Sequence, residues 1–259
     1  METSVILQSQ KLAEMDRRND PDINEGWKSL PGYFNLPVEL DAQPESAMPW
    51  MTWLTAFLIA VLSISAFWNL GYLIQQFGLV PNKLWRYDGL TFVSSFFLHA
   101  SAWHLIGNLY FLVLFGRRVE RDVGPWRWLL LLFAAALIGD ILDVLLDPRG
   151  DLPCVGASGG ISGLLAYYVL RFPTVEIGIP VRFALQVMWI EIPAWAWFAM
   201  WMFLQFADAW QQMSGLGDVA SLAHVGGALA GLICWLWWRN RPPDAGSPDT
   251  GGKVPVNLS

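Results

Sequence analysis

Six apolar stretches, most of them long enough to cross a lipid bilayer, constrain this chain more than anything else in its sequence. They run Trp50–Phe77, Thr91–Phe115, Trp126–Leu146, Val155–Leu170, Phe183–Ala207 and Val219–Trp238. A helix needs about 20 apolar residues to span the hydrocarbon core. Membrane strands need only about 10 and alternate polar with apolar positions, so these runs read as helices. Composition agrees with this reading. Of 259 residues, 54% are hydrophobic and 15% charged, whereas soluble domains carry about 25% charged residues. A disordered chain, a disulfide scaffold and an ordinary cytosolic globule are excluded. The net charge of -6 and the lack of a basic arm do not suggest nucleic-acid binding. Two cysteines say little about redox compartment.

The polar residues flank this core. Residues 1–49 hold nine acidic residues against four basic ones. They read as a cytoplasmic tail with a short helix near Leu7–Met15. No apolar core follows a basic start, so no signal peptide is expected there. Residues 239–259, rich in Pro, Gly, Ser and Asp, are expected to be disordered. The domain reading is therefore a tail (1–49), a membrane core (50–238) and a second tail (239–259). With the N-terminus placed in the cytoplasm, 13 of the 16 Lys and Arg fall on the inner side, and only Lys83, Arg86 and Arg149 lie outside. The positive-inside rule then puts both termini in the cytoplasm. The expected fold is an all-α polytopic membrane protein, and a bacterial inner membrane fits the missing presequence.

Polar groups at membrane depth cost stability, so each is a functional candidate. All three histidines, His99, His104 and His224, fall in the apolar segments, and the fourth segment contains Gly156-Ala157-Ser158-Gly159-Gly160. Segments two, four and six all run from outside to inside. His99, His104, Asn108, Ser158 and His224 lie in their outer halves, at one level. A serine hydroxyl becomes a nucleophile when a neutral imidazole takes its proton, so Ser158 and His224 make a candidate dyad. No Asp or Glu lies in the outer part of the fourth or sixth segment to complete a triad. Ser158 opens its helix, so its N–H is expected to lack an intrahelical partner and to face developing negative charge. His104 and Asn108, four residues apart, share a helix face and are candidate donors to the same oxygen. Gly159 and Gly163, like Gly227 and Gly231, are spaced to let helix backbones approach closely.

Three segments carry a family resemblance: His99-Ala-Ser-Ala-Trp-His104-Leu-Ile-Gly-Asn108, Gly156-Ala-Ser158-Gly159 and Ala223-His224-Val-Gly226-Gly227. In order and spacing they resemble the three motifs of rhomboid intramembrane serine proteases. The resemblance spans roughly Trp50 to Trp238. It implies a compact six-helix bundle around a water-filled cavity open to the outside. It also implies Ser158 as nucleophile, His224 as base, and His104 with Asn108 at the oxyanion hole. The reaction it implies is cleavage of single-span membrane substrates, without metal or cofactor. Two departures stand out. Val119-Glu120-Arg121-Asp122-Val123-Gly124 puts Asp where the family often has Arg, with Arg117, Arg118 or Arg121 as stand-ins. Trp85-Arg86 lies further before His99 than in many relatives.

Blander readings apply to the remaining residues. Ser162, one turn below Ser158, reads as packing or a hydrogen-bond partner. His99 reads as a structural anchor at the interface. Asp140 and Asp143 are expected at the exposed end of the third helix. Glu191 is expected inside the fifth helix, pairing with an inner-loop Arg or snorkelling. The Trp-rich stretch from Trp189 to Trp210 reads as an aromatic belt. A three-histidine metal site would leave Ser158 and Asn108 unexplained. Two other functions compete with proteolysis. One is a non-catalytic relative that binds membrane helices, although the chain keeps both Ser158 and His224. The other is a transporter, which lacks the expected inverted repeat. Substrate identity and oligomeric state are not legible.

Overall fold

The computed structural model describes residues 31, 34, 36–40, 48–183, 186–217 and 219–240. The helix expected near Leu7–Met15 and the tail from Arg241 onward lie outside the described residues. The chain divides into two compact units. One combines residues up to Asp41 with Glu176–Ile192, and the other combines Ala42–Val175 with the chain from Pro193 onward.

The first unit holds a three-stranded sheet in the order β1 (Val38–Glu39), β2 (Glu176–Phe183), β3 (Gln186–Pro193). β1 runs antiparallel to β2, with Val38 opposite Gly178 and Glu39 opposite Ile177. The fold is therefore mostly helical rather than all-α. Within the fifth apolar segment, expected as a helix from Phe183 to Ala207, Gln186–Pro193 is a strand and the helix begins only at Ala194. Two causes are local. Gln186–Pro193 is rich in β-branched and aromatic residues, and Pro193 cannot donate within a helix but suits its entry. Glu191 is an exposed strand residue, not a helical one.

The second unit is helical. Its elements are α1 (Trp50–Ala66), α2 (Leu70–Phe77), α3 (Thr91–Ser94), α4 (Ala102–Val123), α5 (Pro125–Leu146), α6 (Ser158–Arg171), α7 (Ala194–Met213) and α8 (Ser221–Trp238). Among the described residues, three stretches are long and apolar enough to cross a membrane: Trp50–Phe77, Pro125–Leu146 and Ser221–Trp238. The segment Thr91–Phe97 and α4 would make a fourth as one bent span, with 93° between them. The other two helices fall short for different reasons. α6 has 14 residues, roughly 21 Å at 1.5 Å per residue. α7 has 20 residues but carries Gln205, Asp208, Gln211 and Gln212.

The second apolar segment is thus not one straight helix. The chain breaks at Leu98–Ser101 and restarts at Ala102, where the Ser101 hydroxyl caps the new helix by accepting from the His104 N–H at 3.1 Å. His99 lies in this break rather than inside the helix, and it is fully buried rather than at an interface. Ser63 donates its hydroxyl to the Phe97 carbonyl at 2.7 Å, which leaves its oxygen to accept from His99 Nδ1 at 2.9 Å. The ring therefore ties the break to α1.

No polar loop separates α4 from α5. The two helices meet at Gly124, whose φ of 79° suits glycine alone, and Pro125 opens α5. Here Glu120 closes the start of α1. It accepts from the N–H groups of Met51 (2.9 Å) and Thr52 (2.7 Å) and from the Thr52 hydroxyl (2.7 Å), where a negative charge also complements the helix dipole. Asp122, the residue standing in the usual arginine position, pairs with Arg171 from the end of α6 at 2.9 Å and accepts from the Tyr167 hydroxyl at 3.0 Å. Arg171 of α6 thus places a cation beside Asp122.

α8 packs in backbone contact with two neighbours. A methyl group on Gly163 of α6 would sit 3.0 Å from the Gly227 carbonyl oxygen, and one on Gly226 would sit 2.9 Å from that of Ile138 in α5. Small residues at these crossings set how closely Ser158 and His224 can approach.

Candidate active site

Ser158 is the first residue of α6. Ala157 accepts the first bond of that helix, from the Ile161 N–H, so the N–H groups of the first turn have no intrahelical acceptor. His224 stands in the first turn of α8, which the glycine contacts hold against α6. The Ser158 Oγ lies 2.8 Å from His224 Nε2. On its other side, His224 Nδ1 lies 2.6 Å from Gln205 Oε1 of α7, and the Trp201 ring packs 6.2 Å from the imidazole centroid.

The other anticipated residues surround this pair. Gly156 has φ 127°, and a methyl group there would meet His104 Nε2 at 2.9 Å. The missing side chain is what admits the His104 ring beside Ser158. Asn108 is buried, and its amide donates to the His104 carbonyl at 2.9 Å. That contact uses one of its two N–H bonds and leaves a second donor. His99 packs on His104 edge-on, 5.0 Å between centroids. Ser162 donates its hydroxyl to the Ser158 carbonyl at 2.7 Å, so it is turned into its own helix and away from His224. A three-histidine metal site fits poorly, because Ser63 engages His99 while Ser158 and Gln205 engage His224.

A cavity of about 560 Å³ opens over these groups, lined among others by Trp103, His104, Asn108, Ser158, Trp201 and His224. At its rim a second polar cluster closes the helix ends. Gln212 of α7 donates to Asp143 (2.7 Å) and Asp147 (2.6 Å) and accepts from the Leu222 N–H (3.0 Å). Asp147 also pairs with Arg149 at 2.7 Å. Burial raises the Asp147 carboxyl, but the hydrogen bonds from Arg149 and Gln212 outweigh it and hold the group down at about 2. Asp143, expected at an exposed helix end, is buried at 3% exposure, because Gln212 supplies the partner that lets a carboxylate stay inside.

Gln205 and Gln212 lie outside the sequence expectation, in which a third member behind His224 is a carboxylate. Their signal lies in the sequence. Trp197, Trp201, Gln205, Ala209 and Gln212 recur at helical spacing, so two amides lie on the same stripe as the tryptophans of an otherwise apolar helix.

Membrane-length helices around a cavity holding a serine and a histidine define a class: integral membrane proteins with a serine–histidine centre between their helices. Residues 81–240 match the Rhomboid domain family, and the chain belongs to that family. It is similar to Rhomboid-like protein 11, chloroplastic, of Arabidopsis thaliana, with 33% identity over 68% of this chain and 64% of that protein. It is also similar to RHOMBOID-like protein 12, mitochondrial, of the same plant, at 25% identity over 56% of this chain and 45% of the relative. A third relative is Rhomboid-like protease 3 of Toxoplasma gondii, at 27% identity over 59% and 52%. The chain thus spans about half to two thirds of the length of these relatives.

Proposed function

We propose that this protein is an intramembrane serine protease that hydrolyses peptide bonds in or near membrane-spanning segments, with Ser158 as nucleophile and His224 as general base. The observation that carries this reading is the 2.8 Å approach of the Ser158 Oγ to His224 Nε2 beside the cavity. In this scheme His224 takes the hydroxyl proton as Oγ attacks the carbonyl carbon of the substrate. The resulting oxyanion is met by the Ser158 N–H, His104 and the remaining Asn108 donor. His224 returns its proton to the departing amine, and water entering by the cavity then releases the acyl group with His224 again as base. A substrate helix must unwind locally first, because its carbonyls are hydrogen-bonded within the helix. Single-span substrates with helix-weakening residues near the cut fit this requirement.

The reading carries a topology. Six spans, with α6 and α7 completing the set and both termini cytoplasmic, put the cavity on the outer side. The domain reading goes with it: tails at 1–49 and 239–259 around a core at 50–238. The relatives' names include chloroplastic and mitochondrial proteins, so the expected bacterial inner membrane draws no support from them. The reading needs only an integral membrane location.

The test is cleavage of a single-span reporter in proteoliposomes by wild type, Ser158→Ala, Ser162→Ala and His224→Ala proteins. Cleavage by wild type and Ser162→Ala alone is expected. Retained cleavage by Ser158→Ala or His224→Ala overturns the dyad.

A further inference from the structure

We infer that Gln205 is a positioning residue for His224 and takes the place that an aspartate holds in a serine–histidine–aspartate triad. The inference rests on the proteolytic reading above and deepens it. Gln205 Oε1 stands 2.6 Å from His224 Nδ1. At that distance two lone pairs would repel, so the contact requires Nδ1 to carry the proton. A neutral imidazole has one N–H, so Nε2 is then the bare nitrogen. That is the nitrogen 2.8 Å from the Ser158 Oγ. One bond behind the ring thus sets the tautomer that can accept the serine proton.

Three further observations support a dedicated role. Gln205 is buried, at 8% exposure, on a helix whose neighbours Phe203, Leu204 and Phe206 are all exposed. Trp201, one turn earlier on the same face, packs against the same imidazole. Trp197, one turn before that, is held by Phe111 and Phe115 of α4, with centroids 6.2 and 5.6 Å away. The stripe Trp197–Trp201–Gln205 therefore runs from an aromatic anchor on α4 to the back of His224. A neutral amide has a further advantage over a carboxylate in this setting. It accepts the Nδ1–H without leaving an uncompensated negative charge among apolar side chains.

The experiment compares wild type, Gln205→Leu and Gln205→Glu proteins in proteoliposomes. It reads kcat and KM for the single-span reporter, the labelling rate of Ser158 by a fluorophosphonate, and the ring-nitrogen NMR signals of 15N-histidine protein. Gln205→Leu keeps the volume and removes the acceptor. It is expected to lower kcat and the labelling rate about tenfold to a hundredfold, part of what a positioned base supplies. KM should stay within about twofold, and His224 should become a mixture of tautomers. Gln205→Glu restores an acceptor and should recover most of the labelling rate. Unchanged kcat in Gln205→Leu, or a wild-type His224 protonated on Nε2, overturns the positioning role and leaves the dyad intact. Equal losses in both variants also overturn it, because a packing role would not distinguish them. If wild type neither cleaves nor is labelled, the proteolytic reading falls and the positioning role falls with it.

Discussion

α6 and α7 both present groups to His224, yet they are built in opposite ways. Every residue of α6 from Gly159 to Val169 is buried. On α7 the buried positions are Ala194, Trp197, Gln205, Ala209 and Gln212, a single stripe. α6 is held by backbone: its glycines touch α8 directly. α7 is held by side chains: two tilted aromatic contacts and two glutamines. The contrast teaches where precision comes from in this site. Ser158 is set by helices that cannot move apart without opening a void, and close packing makes such positions unforgiving. His224 meets two discrete contacts, from Gln205 and Trp201, on the buried stripe of a helix whose other face is exposed. α6 substitutions should therefore affect folding and chemistry together, whereas those on α7 should separate them.

The largest effect tests the nucleophile alone. Ser158→Ala removes one oxygen and no packing, so reporter cleavage is expected to fall by at least about a thousandfold. The thermal midpoint in detergent should stay within a degree or two of wild type, roughly a surface-scale change. A large drop in midpoint would show that the hydroxyl has a structural duty.

Next comes the α6–α8 contact. Gly163→Val puts branched carbon against the Ala135 side chain of α5 and within 3.0 Å of the Gly227 carbonyl oxygen of α8. Overpacking of this kind costs about 1–3 kcal/mol or more, and activity should fall with stability. Scanning calorimetry alongside cleavage checks this. Lost activity at unchanged stability would mean that α8 slides and the dyad parts without unfolding.

The two glutamines of α7 sharpen the comparison further. Gln212→Leu removes one hydrogen-bond donor from the buried Asp143 carboxyl group, a loss of about 1–3 kcal/mol. The same change at Gln205 is expected to cost activity instead. Melting curves and kinetics on both variants should therefore give opposite patterns. Matching patterns would mean that α7 acts as one rigid piece.

The smallest effect concerns pH at the cavity rim. Asp147 is held near 2 in the folded protein against an ordinary value of 3.8. Its folded value is depressed, so its contribution is present above about pH 4 and is lost as pH falls towards 2. Asp147→Asn should flatten the acid side of the melting profile in that window and change little at neutral pH. An unchanged acid slope would show that the Arg149 and Gln212 contacts do not favour the folded state.

Much of this arrangement was legible before any fold was known. Ser158, His224, His104 and Asn108 stood out because polar groups at depth are costly, and helix direction put them at one level. The structure brings Ser158 and His224 into hydrogen-bond contact and sets His104 beside them. What escaped notice shares a cause. The break at Leu98–Ser101 and the strand Gln186–Pro193 sit inside apolar runs, and hydropathy does not distinguish a bent or extended segment from a helix. Gln205 escaped because an amide draws less attention than a carboxylate, and its significance appears only once a ring nitrogen faces it.

The sequence by itself determined the membrane setting, the family and the chemical groups available. Those follow from apolar length, from charge distribution and from local motifs, which need no knowledge of distant contacts. Only the tertiary structure decided how the groups are used. It chose Arg171, 49 residues away, as the partner of Asp122, Ser63 as the partner of His99, and Gln205 as the residue behind His224. Each is a contact between segments far apart in the chain, set by the angle and depth at which the helices cross. That geometry comes from glycine, aromatic and polar packing summed over the whole bundle, and no local stretch of sequence contains it.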